Sequence, residues 1–259
     1  MSITKNTSDL KTMKTFATTL KKQNDFSVIF DQYQLQGARQ SYGYAFAYGH
    51  FSSDNFYPIY DMYPTGQYDG EDAYQMFYGF NAKEPALNLK ERLEECGVVL
   101  NTFNSKSVKQ IYYKANVTEV PAIDLSNCTK NRWTTQQFVS LAPNLKTVEK
   151  IIVSPQTFFS YYTFYQASNI EHMPVEGTIA GGTSLDLRSL KKLNRASLET
   201  WVNALSEEVA PYTAYFSLTS VNKAFETTSG ENDGSTSTDW LNLIAPKQDC
   251  GWTIILGEV

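Results

Sequence analysis

Tyrosine is the residue that most constrains this chain. Of 17 tyrosines, nine (Tyr42, Tyr44, Tyr48, Tyr57, Tyr60, Tyr63, Tyr68, Tyr74 and Tyr78) crowd into one early stretch. A phenol ring buries a large apolar area while its hydroxyl needs a polar partner, so the stretch calls for a surface that touches something. Its first part alternates, with Tyr42, Tyr44, Phe46 and Tyr48 on one parity and Gly43, Ala45, Ala47 and Gly49 on the other. Period two puts the rings on one face of a strand and the small residues on the opposite face. A ligand, a sugar, a base or a neighbouring protein could each occupy such a face.

The remaining chain reads as mixed. Ser8 to Lys22 has an amphipathic helical pattern, with Leu10, Met13, Phe16 and Leu20 on one stripe and Ser8 or Asp9 as a cap. That helix either docks on its own domain or packs on another subunit. Pro85 to Cys96 reads as a helix closed by Gly97, and Ser197 to Val209 as the clearest one, striped by Leu198, Trp201, Val202 and Leu205. Short runs rich in β-branched and aromatic residues predict strands at Val98–Phe103, Lys109–Val117, Phe138–Leu141, Val148–Val153, Tyr212–Val221 and Trp252–Leu256. Glycine, serine and threonine predict loops at Gly177–Ser184 and Thr227–Thr238. No internal repeat stands out. The expectation is an α+β fold: an antiparallel β-sandwich flanked by helices, with a helical arm over residues 1–25 and one domain over 26–259.

Charge and cysteine content remove several classes. Lys+Arg 22 against Asp+Glu 27 leaves a net charge of −5, which argues against nucleic-acid binding, where phosphates demand a basic face. No apolar run approaches the ~18 residues of a membrane span, and the polar N-terminus lacks the apolar core of a signal peptide. Cys96, Cys128 and Cys250 are few and scattered, which predicts reduced thiols; with two histidines they predict no zinc site.

Catalytic motifs fail one by one. Gly177-Thr-Ile-Ala-Gly181-Gly182-Thr183-Ser184 has the glycine spacing of a phosphate loop but carries Thr183 where the lysine is needed. Tyr42-Gly43-Tyr44-Ala45-Phe46 imitates a base-stacking strand without its basic residue. Asp69, Glu71 and Asp72 lie among aromatics, as the paired acids of a glycosidase would, but surface turns are commonly acidic too. His50 and His172 stand beside no nucleophile signature, and the sequons at Asn6, Asn116 and Asn127 matter only in a secreted chain. No catalytic or metal residue is assigned.

The chain resembles the polyhedrins of cypoviruses, the matrix proteins of viral occlusion bodies. The likeness runs through Leu35-Gln36-Gly37 into Tyr42–Tyr48, then Lys150-Ile151-Ile152-Val153-Ser154-Pro155. It continues with Leu198–Asn203, Tyr215–Asn222, Trp240-Leu241 and Gly251–Leu256. The resemblance implies a non-enzymatic structural protein that forms homotrimers, packs them into an intracellular crystal around virus particles, and dissolves in alkali. It implies residence in the host cell cytoplasm, no membrane partner, no specific nucleic acid, and no required cofactor, although a nucleotide held in the lattice is consistent with it. Leu10, Met13, Phe16 and Leu20 would form the assembly arm, and ionising Tyr42, Tyr44, Tyr48, Tyr57, Tyr60 and Tyr63 would trigger release. The alternative is a glycan-binding module or glycoside hydrolase with an aromatic-lined cleft.

Overall fold

The computed structural model describes residues 73, 75–80, 86–95, 107–128, 134–157, 159, 162–180, 185–208, 212–226 and 234–259. The expected N-terminal arm, the Tyr42–Tyr63 face, the Val98–Phe103 strand and the arm–domain boundary lie outside them.

Among the described residues, eight short strands and three helices of seven or more residues follow one another in the order β1 (Leu87–Asn88), α1 (Leu89–Glu95), β2 (Val117–Val120), β3 (Ile123–Asp124), β4 (Thr147–Val148), β5 (Ile151–Val153), β6 (Val175–Gly177), β7 (Leu185–Leu187), α2 (Arg195–Ala204), β8 (Thr213–Ser217) and α3 (Leu218–Phe225). A 3₁₀ turn (Gly234–Thr236), a fourth helix α4 (Thr238–Asp249) and β9 (Thr253–Gly257) complete the described chain. Every pairing between them is parallel: β1–β2–β4, β3–β5–β6 and β7–β8–β9. The antiparallel sandwich is therefore replaced by three small parallel sheets.

The register explains the change. Glu119 pairs with Thr147, which bridges to His172, while Ile123 pairs with Ile151 and Ile151 with Val175. Polar side chains join positions 23 to 28 residues apart over the same region. A chain that returns beside itself at that interval, always in the same direction, is winding into stacked coils; periods of this size define solenoids. One coil cannot cover its own apolar face, so neighbours bury it. The inward residues form columns through the stack, among them Met76, Ile111 and Phe138, and Phe77, Tyr112 and Val139, all essentially inaccessible.

A third column of hydrogen bonds lies where strands were expected at 109–117 and 138–141. Residues 75–80, 107–115, 134–142 and 162–167 run as consecutive turns. Within one coil, alternate N–H groups close turns (Ile111 to Val108, Tyr113 to Gln110, Ala115 to Tyr112). The others reach the next coil (Val108 to Thr134, Gln110 to Gln136, Tyr112 to Phe138). The turns need left-handed residues, and the chain supplies them in pairs four apart: Gln75 and Gly79, Gln110 and Lys114, Gln137 and Leu141, then Gln166. So the chain does contain an internal repeat.

Helices later replace the strands. Asn194 caps α2 by accepting from the Ser197 N–H, and Ser217 caps α3 by accepting from the Ser220 N–H. The stripe Leu198, Trp201, Val202 and Leu205 is buried as its spacing predicts. Hydroxyls on these helices take over the role of a strand's carbonyls: Ser197 accepts from Met173 N–H, Thr200 from Val175 N–H, and Ser220 from Leu193 N–H. The predicted Tyr212–Val221 strand ends at Ser217 and turns into α3, and α4 occupies sequence not read as helix. Among the described residues no helix is long and apolar enough to cross a membrane.

Candidate functional site

The residues singled out for assembly and alkaline release (Leu10, Met13, Phe16, Leu20, Tyr42, Tyr44, Tyr48, Tyr57, Tyr60 and Tyr63) lie outside the described part, as do His50, Asp69, Glu71 and Asp72. His172 is half-buried in the bridge to Thr147, its Nδ1 3.3 Å from Asn194 Nδ2, and so belongs to the coil-to-coil framework. Gly177 ends β6 with φ +106°, beside the backbone of Val153, and that close approach accounts for a glycine there. Among the described residues no group of three or more His, Cys, Asp and Glu is placed to hold a metal.

What the coils do assemble is a ribbon of amide and aromatic side chains along the turn column, from the buried Gln75 through half-buried Gln110 and Gln137 to the exposed Tyr162 and Gln166. Gln75 Nε2 donates to Gln110 Oε1, and Gln110 Nε2 donates to Gln137 Oε1 at 2.6 Å, a carboxamide ladder across three coils. Beside it the rings of Tyr78 and Tyr113 lie 5.1 Å apart, with Lys114 Nζ 5.3 Å from the Tyr113 centroid. One end carries Tyr162 and Tyr165, 6.0 Å apart, and Gln166 Nε2 donates to the Tyr165 hydroxyl at 3.4 Å. Tyr162 is 48% exposed. The backbone that carries these rings is bonded from coil to coil, Gly79 N–H to the Tyr113 carbonyl and Gln137 N–H to the Tyr162 carbonyl.

Among the described residues, the turn column and the strand columns differ in charge. The ribbon residues 75–80, 107–115, 134–142 and 162–167 include Lys109 and Lys114 and no carboxylate. The carboxylates Glu119, Asp124, Glu149, Glu171 and Glu176 fall in or beside β2–β6, where Lys150 pairs with Glu176 at 2.6 Å. Farther along, Arg188 grips the buried Asp186 (2.6 Å) and lies 4.6 Å over the Tyr215 ring, with Ile255 exposed beside Tyr215 on β9.

Two buried groups carry perturbed protons. Tyr112 is wholly buried with no partner for its hydroxyl, and desolvation pushes its pKa far above the usual tyrosine value. The Cys128 thiol is pushed up to about 12, first by burial and then by the Asp124 carboxylate. Both sit in the core and offer no nucleophile.

The ribbon was missed because its repeat is one of residue class and backbone conformation. Its signal can be read once the coils are aligned: Gln75-Met-Phe-Tyr-Gly79-Phe, Gln110-Ile-Tyr-Tyr-Lys114-Ala and Gln137-Phe-Val-Ser-Leu141-Ala share a leading glutamine and two inward apolar positions. Comparison with protein-family models, with curated proteins and with solved structures gives no match. The class that the fold and the ribbon define is thus a parallel solenoid with an aromatic and amide-rich outer face.

Proposed function

We propose that the protein is an interaction module whose outer tyrosine–glutamine ribbon is its binding surface. The observation that carries this reading is the Gln75–Gln110–Gln137 ladder flanked by the two tyrosine pairs. A solenoid multiplies one coil's surface into a row, so side chains at equivalent positions meet an extended partner together. A backbone already bonded from coil to coil has no ordering cost left to meet on binding, which favours affinity.

The occlusion-body role, with homotrimers packed around virus particles in the host cytoplasm, came with a sandwich that the parallel sheets replace. It remains the competing outcome of the test. Purified protein would be screened against arrays of glycans and peptides, and its self-association followed by sedimentation. A ligand should bind the native chain and lose at least tenfold in affinity on Tyr113→Ala or Tyr165→Ala, with melting unchanged. Binding that survives both substitutions would reject the ribbon. Micrometre crystals in expressing cells, with no ligand found, would favour the matrix role.

A further inference from the structure

We propose that the protein pairs with a second copy of itself end to end, through the open edge of β9 and the outer side of α4. This surface is separate from the ribbon, and the pairing holds whether or not the ribbon binds a ligand. It follows first from where exposed apolar side chains fall. Among the described residues the large hydrophobics left exposed are Tyr162, Leu241, Ile255 and Val259, and the last three belong to the final described coil. A solenoid's terminal coil needs a polar outer side to stay soluble. This coil presents the reverse.

The strand supplies half of the surface. Among the described strands β9 is the edge of its sheet, paired with β8 alone. Thr253 donates its N–H to the Tyr212 carbonyl at 2.8 Å. In a parallel ladder alternate residues bond to the same neighbour, so Ile254 and Leu256 turn their N–H and C=O groups away from β8. Ile254 pairs with Ala214 and Leu256 with Phe216. Ala214 and Phe216 are fully buried, whereas Ile254 and Leu256 pack against the same core and stay half-buried. The apolar core is open at this end. Thr253–Gly257 also carries no charge and no proline, two of the devices that keep a natural edge from pairing.

The helix supplies the other half. Asp239 meets Arg195 of α2 at 2.8 Å, and Lys247 meets the Leu205 carbonyl at the end of α2 at 2.8 Å, which fixes the side of α4 that faces the preceding coil. Leu241, Ala245 and Gln248, three and four residues apart, share a different side and are exposed. A second copy is the occupant because this surface matches itself. A two-fold axis through Ile255, perpendicular to the sheet, pairs β9 antiparallel with its copy, and Ile254 then exchanges both backbone bonds with Leu256 of the second copy. The same axis sets Ile255 against Ile255 and turns the outer sides of the two α4 helices toward each other. Near such an axis a side chain meets its own like, so a charge there would repel. Neither β9 nor the Leu241, Ala245 and Gln248 stripe bears one. A lone extended peptide would fill the strand edge and leave the helix uncovered.

The test follows the whole chain by sedimentation from about 1 to about 100 μM, the range that an interface of modest area calls for. Association should stop at two chains per particle. Ile255→Lys and Leu241→Lys should each weaken it at least tenfold, with circular dichroism melts at the lowest concentration showing both variants folded. Should Ile255→Lys melt early, Leu241→Lys, at an exposed position on a separate element, decides alone. Tyr162→Ser, the exposed ring of the turn column, should associate as the native chain does. Cysteines read the register. Residues facing each other at the axis lie about 4.5 Å apart between Cα atoms, within reach of a disulfide. Ile255→Cys should therefore link two chains under mild oxidation and Thr253→Cys should not, with the native chain as the control for Cys250. A monomer at every concentration, particles growing beyond two chains, association indifferent to the lysine substitutions, or no linkage through Ile255→Cys would overturn the proposal.

Discussion

Gln110 donates its carboxamide to Gln137 across 2.6 Å while both residues hold left-handed backbones, φ 57° and 55°. A non-glycine residue in that region costs about 1–2 kcal/mol. The turn imposes the conformation, and the side-chain ladder offsets part of the cost by joining the coils. Backbone strain and side-chain bonding thus occupy the same residue.

This coupling can be separated by substitution. Gln110→Ala loses both ladder bonds and keeps the strain; Gln110→Gly loses the bonds and relieves it. Gln110→Ala should destabilise by about 1–3 kcal/mol, and Gln110→Gly by about 1 kcal/mol less than that. Urea unfolding of the two variants gives the difference directly. Equal losses would mean the left-handed backbone carries no strain here.

Gly177 makes a sharper case. Its φ is +106°, and a Cβ built there would stand 2.1 Å from the Val153 carbonyl oxygen. That carbonyl belongs to the neighbouring strand of the same sheet, so it cannot move without breaking β5–β6 pairing. Gly177→Ala should therefore cost about 3 kcal/mol or more, through conformation and clash together. A variant that melts within a degree or two of the native chain would contradict the packing of β6 against β5.

Lys247 is a lysine buried for a reason. Its Nζ donates to the Leu205 carbonyl at 2.8 Å, at the end of α2, and to Glu207 at 3.0 Å. An ammonium on the last carbonyls of a helix satisfies an acceptor and favours the negative end of the dipole. Lys247→Met keeps the apolar stem and removes the donor, so about 1.5–3 kcal/mol should be lost in urea unfolding. Full stability in Lys247→Met would show that water serves that carbonyl equally well.

Local signals in the sequence were legible where a single element settles them. The Leu198, Trp201, Val202 and Leu205 stripe located α2, which starts two residues before the expected Ser197 and ends at Ala204, five short of Val209. Trp252–Leu256 became β9, displaced by one residue. What local pattern does not carry is the direction of pairing. Ile151-Ile152-Val153 is the same β-branched run whether its neighbours are parallel or antiparallel, and strands of two or three residues are too short to show one-faced alternation. The repeat stayed hidden because coil length varies and inward positions exchange Met76, Ile111 and Phe138 freely. Only the glutamines at left-handed positions mark it, and such backbone angles have no composition signature.

Alkali should also act on two buried acids of the core. Tyr112 and Cys128 are acids whose pKa values burial raises, the thiol to about 12. In the unfolded chain they ionise near ~10 and ~8.5. Between its unfolded and folded values each group holds a proton in the native state that the unfolded state has released. Stability then falls as pH rises, because the unfolded state binds fewer protons. Their contribution is complete below about pH 8.5 and declines above it, with Cys128 acting first and Tyr112 adding to the slope beyond about pH 10. Urea midpoints measured from pH 7 to 11 should be level at first and then drop. Cys128→Ala should delay the onset, at the cost of a small cavity at pH 7. Tyr112→Phe removes a buried hydroxyl without a partner, so it should match or exceed native stability at pH 7 and flatten the decline above pH 10. A native midpoint unchanged up to pH 11, or a Cys128→Ala, Tyr112→Phe double variant that falls as steeply as the native chain, would place the alkaline sensitivity elsewhere.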